Sequence, residues 1–157
     1  VADTKGNAYV LGAGPTPNTG VVQSIYYAPH ILAAAAGGNA VVVTFNAAVT
    51  FPSVAIVEYA GVKLPDKSAS NSGSTIAASS GPVTTTAAPE LVFAAGLPDN
   101  SAAANFASGG TGFTVRAITS VAGMLVEDQI VSTLGTYQAT GTLTAATPWV
   151  MQTVTFK

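Results

Sequence analysis

Short apolar runs alternate with clusters of turn-forming residues along the whole chain, and this alternation strongly restricts the fold. The runs are rich in Val, Ile, Thr, Phe and Tyr, the residue types that are enriched in β-strands. The clusters between them contain Gly, Pro, Asn, Asp and Ser, which favour turns. The pattern predicts an all-β protein, an antiparallel β-sandwich of jelly-roll type. The predicted strands are residues 21–28, 41–45, 54–59, 90–95, 113–119, 124–131, 136–143 and 149–156.

Two of these runs are apolar on both faces. Residues 54–57 (Val-Ala-Ile-Val) and 91–94 (Leu-Val-Phe-Ala) alternate only weakly between apolar and polar side chains. A strand of this kind needs cover on both sides. We therefore expect loops or a neighbouring subunit to cover them.

The chain is predicted to form one domain, because its 157 residues fall within the usual size of a single domain. The segment from residue 64 to residue 86 is rich in Ser and Thr and could be mistaken for a linker. Ile76 and Val83 interrupt it, and neither flank holds enough strands for a second domain. This segment is predicted to be a long surface loop with weak edge strands.

Composition excludes several classes of protein. The chain has no cysteine, and only 8% of its residues are charged, which is typical of a secreted or surface β-protein rather than of a cytosolic enzyme. Five basic and seven acidic residues provide no positive surface for nucleic acid. Mean hydropathy is +0.46, yet no apolar run approaches the roughly 18 residues of a membrane-spanning helix. We expect an extracellular, non-enzymatic protein without a cofactor.

The chain begins in the middle of a predicted hairpin. Residues 3–7 (Asp-Thr-Lys-Gly-Asn) favour a tight reversal, so Val1 and Ala2 would end one strand and Ala8 would begin the next. Two residues are too few for a strand. Either a preceding segment completes that strand, or its partner comes from another molecule. Residues 1–11 are therefore a candidate for a strand that is exchanged between subunits.

Eight segments together resemble a β-sandwich domain that occurs, often in tandem, in large secreted and surface proteins of environmental bacteria. The resemblance covers nearly the whole chain in order and implies a sandwich fold, but it implies no catalytic residues. Members of that family carry two further strands before the DTKGN-like turn, so the resemblance implies a sandwich without its first strands. The segments are DTKGNAYVLGAGP, QSIYYAPHI, NAVVVTFNAA, AIVEYAGV, SSGPVTTTAAPELVFAAG, GFTVRAIT, VEDQIVSTLGTY and PWVMQTVTF.

The architecture is also similar to that of jelly-roll subunits in glycan-coated extracellular filaments, where each subunit gives a strand to its neighbour. We therefore expect a structural subunit that binds copies of itself head to tail by strand complementation. The donor would be residues 1–11 or, alternatively, residues 149–156. The predicted interface residues are Val1, Tyr9, Leu11, Trp149, Val154 and Phe156.

A carbohydrate-binding module and a stalk repeat of a large adhesin are the alternative functions. Tyr26, Tyr27, Tyr59 and Tyr137 could stack on sugar rings, although the adjacent Tyr26 and Tyr27 must point to opposite faces of a strand. The single tryptophan, Trp149, fits a core or interface anchor better.

Attached glycans would have to be O-linked, because no Asn-x-Ser/Thr sequence occurs. The Ser/Thr-rich stretches near Pro82 and Pro89 have a suitable composition, although a plain polar loop explains them equally well. The candidate positions are Ser68, Ser70, Thr75, Thr84, Thr85 and Thr86.

Catalytic and metal-binding candidates are few. His30 is the only histidine, and a structural or surface role is favoured over catalysis. Glu127 and Asp128 are adjacent on a predicted strand, so they face opposite sides and cannot act together as an acid and base. Asp99, Asp66 and Asp128 could offer oxygen ligands to Ca²⁺, but turn formation is the favoured role of Asp99 and Asp66. No metal site is predicted.

Overall fold

The computed structural model describes residues 1–99 and 103–157, and its regular structure is entirely β. The predicted all-β class is confirmed, with antiparallel sheets that are consistent with a sandwich. No helix among the described residues is long and apolar enough to cross a membrane. The strands are β1 (Ala2–Asp3), β2 (Val10–Asn18), β3 (Val21–Tyr27), β4 (Val41–Val42), β5 (Pro65–Gly73), β6 (Ala77–Ser79), β7 (Val83–Thr84), β8 (Glu90–Pro98), β9 (Phe106–Ser108), β10 (Thr114–Ile118), β11 (Leu125–Val131), β12 (Thr136–Tyr137), β13 (Thr140–Leu143) and β14 (Trp149–Phe156).

A five-stranded antiparallel sheet lies at the centre, in the order β10-β11-β8-β14-β5. Strand β14 pairs with β8 on one side and with β5 on the other. All eight of its residues are buried. The run of residues 149–156 was predicted as a strand, and five of its eight residues are apolar and distributed over both faces, which fits a strand that is covered on both faces.

Two apolar clusters cover the two faces of this sheet. On one face, Phe106 of β9 and Leu143 of β13 pack against Leu125 and Met151 of the central strands. On the other face, Ile25 of the β2–β3 hairpin packs against Val154 and neighbouring residues of β8 and β14. Alternate residues of β14 point into each cluster, as the two-residue period of a strand requires.

Buried amides fix the hairpin on the sheet. The side-chain amide of Gln23 donates to the carbonyl of Ala95 at 2.9 Å. The amide of Gln152 donates to the carbonyl of Gln23 at 3.1 Å and to the hydroxyl of Thr16 at 2.8 Å. Because a buried polar group is costly without a partner, these bonds specify where the hairpin sits.

The Ser/Thr-rich segment, residues 64–86, differs from the prediction of a long loop. It contains the nine-residue strand β5 and the short strands β6 and β7. Serine is a weak strand former, but β5 lies at the sheet edge and pairs with β14 over most of its length. Tertiary pairing therefore outweighs local propensity here, although the edge position agrees with the prediction.

Residues 43–64 contain no strand, whereas the sequence predicted strands at 41–45 and 54–59. Only Val41 and Val42 form one, by pairing with β1. A strand exists only where another strand receives its backbone hydrogen bonds. The apolar run at residues 54–57 has no such partner among the described residues.

Truncating Met151 tests whether the centre of the sheet determines stability. Its side chain is fully buried in one of the two clusters, so Met151→Ala should lower the free energy of unfolding by about 2–5 kcal/mol. Ile130, on β11 of the same sheet, is 76% exposed. Ile130→Ala should change that free energy by less than about 0.5 kcal/mol. Urea denaturation of both variants measures the difference, and equal losses would contradict the assignment of the core.

Candidate assembly surface

An exposed, apolar segment that carries no charge over most of its length is the feature of this molecule that most needs a functional explanation. We call residues 43–64 the apolar arm. No Asp, Glu, Lys or Arg occurs between residues 6 and 57. Phe51 is 93% exposed, and Ile56 is 64% exposed. The other exposed large apolar side chains of the arm are Phe45, Val49, Val54, Val57 and Leu64.

The end of the arm is anchored to the central sheet through Tyr59. Its hydroxyl donates to the Asp128 carboxylate at 2.5 Å. Its ring packs edge-on against Phe93, with 6.3 Å between ring centroids. Backbone hydrogen bonds from Lys63 to the Lys157 carbonyl and from Lys157 to the Leu64 carbonyl continue this attachment. The exposed residues that precede Tyr59 are therefore attached to the central sheet at Tyr59.

Asp128 is the electrostatic centre of this anchor. The Arg116 guanidinium donates to both of its oxygens, at 2.6 and 2.9 Å. Burial acts to raise the pKa of Asp128, but the hydrogen bonds from Arg116 and Tyr59 outweigh it and hold that pKa below its ordinary value. Burial, together with the hydrogen bond to the ionised Asp128, raises the pKa of Tyr59. Tyr59 therefore remains a donor at neutral pH.

A second carboxylate fixes the chain before the arm. Asp3 accepts hydrogen bonds from the side chains of Asn7, Tyr9 and Asn39. Desolvation acts to raise the pKa of Asp3, but these donors lower it overall. The bond from Asn39 ties the loop before β4 to the turn after β1. The arm is thus held at both ends by an ionised aspartate and its donors.

The predicted interface residues fall into two groups. Val1 and Leu11 are 40% and 43% exposed, and Tyr9 is half-buried with its hydroxyl bound to Asp3. Both ends of residues 1–11 pair within their own chain: Ala2 and Asp3 pair with β4, and Val10 and Leu11 pair with β3. The other three predicted residues are buried side chains of β14: Trp149, Val154 and Phe156.

These three residues belong to the segment predicted as the alternative donor strand, and in this structure they are buried within their own subunit, where residues 149–156 pair with β5 and β8. In this chain they form an interior strand of the sheet, between β8 and the edge strand β5. A sequence pattern shows that such a strand needs cover on both faces, but not whether the cover comes from the same chain. Here the chain covers β14 itself.

The four predicted sugar-stacking tyrosines do not form one exposed platform. Tyr26 is 47% exposed, whereas Tyr27 packs in the core against Phe156, with 5.6 Å between ring centroids. Tyr59 is the anchor of the arm, and the Tyr137 hydroxyl donates to the Thr133 carbonyl. The expected opposite orientation of Tyr26 and Tyr27 agrees with their different burial.

The candidate O-glycan positions are mostly accessible. Five of them are exposed: Ser68, Ser70, Thr75, Thr84 and Thr86. Thr85 is an exception and corrects the prediction, because it is only 4% exposed. Its hydroxyl donates to the Gly135 carbonyl and accepts from the Gly135 amide, so a sugar has no access to it.

The aspartates considered for Ca²⁺ do not lie together. Asp66 forms an ion pair with Lys157 at 2.9 Å, and Asp128 is occupied by Arg116. The carboxyl of Asp99 lies against Gly20. Among residues 1–99 and 103–157, no group of three or more His, Cys, Asp or Glu side chains could hold a metal ion.

Glu127 is a buried carboxyl group whose environment the sequence did not reveal. As predicted, it lies on the opposite side of β11 from Asp128, since Asp128 contacts Arg116 while Glu127 contacts the turn at Gly109 and Gly110. Glu127 is fully buried, and one oxygen accepts from the Gly110 amide at 2.8 Å. A side chain at Gly109 would collide with this carboxyl, so only glycine allows the turn to lie so close.

The chain matches no known protein-family model, no curated protein and no solved structure. Its function therefore has to be inferred from its own residues.

Stability should depend on pH through Glu127. Burial raises its pKa to about 7 from an ordinary 4.5, with the charge of Asp128 adding to the effect and the Gly110 hydrogen bond opposing it. The folded protein then binds more protons than the unfolded chain between these two values. The stability contributed by protonated Glu127 is complete below pH 4.5 and is lost as the pH rises through about 7.

Thermal melting from pH 5 to pH 8 measures this dependence, with Glu127→Gln as the matched variant. The melting temperature of the unmodified protein should fall relative to that of the variant as the pH rises. The lowered pKa values of Asp3 and Asp128 exert their effect in more acidic solution, outside this range. Parallel curves for the two proteins would contradict an ionisable, buried Glu127.

Proposed function

We propose that this protein is a structural subunit of an extracellular filament or surface fibre, and that copies assemble head to tail by β-strand complementation. The observation that carries this proposal is the apolar arm. Its residues 54–57 have the composition of a buried strand, but they lack a strand partner among the described residues and are exposed. A second copy would supply the missing cover.

The exposure of the arm is unusual for a protein that acts alone. Soluble monomers rarely expose large continuous apolar surfaces. Natural proteins also protect unpaired strands with charged residues, lysine above all. The arm has no charged residue before Glu58. It therefore lacks the feature that normally prevents an exposed strand from pairing with another molecule.

Each copy also offers places where a strand can add. Strands β5 and β10 form the two edges of the central sheet, and each pairs with one neighbour. An unpaired edge presents backbone donors and acceptors to an incoming strand. A donor segment and a different acceptor edge on the same subunit give a heterologous contact. Such contacts do not have to close into a ring, so they can generate a fibre.

The arm takes the role that the sequence pattern suggested for residues 1–11. Both ends of that segment are paired with strands of their own chain, and so are residues 149–156. The arm, in contrast, contains no strand, so it can pair with a second copy without breaking a strand of the central sheet. Strand complementation through the arm therefore preserves the fold of each subunit.

An extracellular setting agrees with the composition and with the surface of β5. The chain has no cysteine and few charges. Ser70 of β5 and Thr84 of β7 are exposed. Their hydroxyls are accessible to O-linked sugars, so glycans are proposed as a second kind of partner. A sugar-binding module remains the second candidate function, favoured by the exposed ring of Tyr26.

A charge placed in the arm tests the assembly. Ile56→Asp should abolish filaments, because a carboxylate would have to be desolvated when a second copy covers it. Leu134→Asp is a matched control, since Leu134 has the same exposure of 64% but lies outside the arm. Electron microscopy and light scattering after size exclusion report assembly, and thermal melting checks folding.

The unmodified protein and Leu134→Asp should form filaments, and Ile56→Asp should stay monomeric with an unchanged melting temperature. A monomer at every concentration for the unmodified protein would refute the proposal. That outcome would favour the sugar-binding module, or a stalk repeat in which another segment of the same polypeptide covers the arm.

A further inference from the structure

We propose that Phe51 of one copy inserts into the groove between β2 and β5 of a second copy. This inference rests on the proposed function and specifies the contact through which assembly occurs. The groove has a volume of about 210 Å³. Its lining includes Leu11, Gly12, Pro65, Lys67, Ser68 and Val154.

Phe51 has the properties of an interface anchor. Its side chain is 93% exposed, more than any other large apolar side chain in the described residues. A buried aromatic side chain removes roughly 150–250 Å² from water. Interfaces concentrate their binding energy in a few such side chains that fill pockets on the partner. Pro52 follows Phe51 and restricts the backbone at this position, which lowers the entropy lost on binding.

The groove is chemically suited to an aromatic ring. Leu11, Pro65 and Val154 supply apolar walls. Lys67 at the rim is exposed, and an ammonium group is attracted to the face of an aromatic ring. Asp66 also lines the groove, but Lys157 pairs with its carboxylate at 2.9 Å and Thr86 donates to it. Its negative charge is therefore already compensated.

The outer face of the β2–β3 hairpin extends the apolar surface beyond the groove. Leu11 lies opposite Tyr26, and Pro17 lies opposite Val22. All four residues are exposed, and they point away from the side where Ala13 and Ile25 enter the core. This face can receive Val54, Ile56 and the other apolar residues of an arm that is anchored by Phe51.

The occupant is a second copy, because the hairpin face and residues 43–57 of the arm are both apolar and both lack charged side chains. The hairpin and residues 43–57 of the arm both fall within the stretch from residue 6 to residue 57, which has no charged side chain. Contact between these two stretches buries no charged side chain, and Lys67 at the rim of the groove is exposed and can keep its ammonium group in water. A stable interface needs about 800 Å² from each partner. Phe51 alone cannot supply that area, but the arm and the hairpin face together extend over many exposed apolar side chains.

Chemical crosslinking tests this contact, since the chain has no cysteine of its own. Thr50→Cys places a thiol beside Phe51, and Ser68→Cys places one at the groove; both positions are exposed. The two single variants are mixed, and a short bis-maleimide reagent is added. A covalent dimer that joins position 50 to position 68, identified by peptide mass spectrometry, is the expected result. Leu134→Cys mixed with Thr50→Cys is the control and should give at least ten-fold less product.

Removing the anchor gives an independent measurement. Phe51→Ala should raise the concentration needed for filament assembly at least ten-fold, and in the Thr50→Cys background it should lower the yield of the 50–68 crosslink. Its melting temperature under monomeric conditions should not change, because the side chain is exposed.

The outcomes separate this inference from the proposed function. Filaments that form without the 50–68 crosslink, or that form equally well with Phe51→Ala, overturn the inference and leave the filament proposal standing. In a Thr50→Cys/Ser68→Cys double variant, a crosslink that forms only within single chains also overturns it. Absence of assembly at every concentration of the unmodified protein overturns both.

Discussion

The structure depends on the double pairing of β14. This strand receives backbone hydrogen bonds from β8 and from β5, and it contributes side chains to both apolar clusters. A strand of this kind must also satisfy its own polar side chains, because water does not reach them. The Thr153 hydroxyl donates to the Phe93 carbonyl, and the Gln152 amide binds the hairpin. The hairpin and the β6-β13-β9 sheet are therefore positioned by the strand that they cover.

The position beside β14 also explains why a polar segment joins the central sheet and an apolar segment does not. The polar, serine-rich β5 is part of the central sheet, whereas the apolar residues 54–57 are not. An edge strand with a polar composition suits a position beside β14, because one of its edges faces outward. Residues 54–57 would bury little apolar area at such an exposed edge. Its residues would lose exposed apolar area only against another apolar surface, which favours contact with a second molecule.

Much of the fold could be predicted from the sequence. The all-β class follows from short apolar runs and frequent turn residues, and strands were expected where β8, β10, β11 and β14 lie. Weak edge strands were predicted within residues 64–86, but the length of β5 could not be predicted, because its pairing depends on β14, which lies far along the chain. The lack of a strand at residues 54–59 could not be predicted either. Local composition reports the tendency to pair but not whether a partner is within reach.

The candidate site was less predictable than the fold, because its parts are brought together by tertiary contacts. Leu11 was expected at a subunit interface, and it lines the groove between β2 and β5. Tyr59 was expected at a sugar-binding surface, whereas its hydroxyl binds Asp128 and anchors the arm. The environment of Glu127 depends on the turn at Gly109, which lies 18 residues earlier in the chain. A sequence pattern shows that Glu127 and Asp128 face opposite sides of a strand. It does not show which side is buried.

The anchoring of the arm at both ends connects the fold to the proposed assembly. Asp3 binds Asn39 before the arm, and Asp128 binds Tyr59 near its end. Both aspartates have lowered pKa values, so they stay ionised and keep their donors in neutral solution. A segment that is already held in place loses less conformational entropy on binding than a free chain does. Residues 40–57, which carry no Asp, Glu, Lys or Arg, are thus held in place for the contact that we propose by two aspartates that lie outside it.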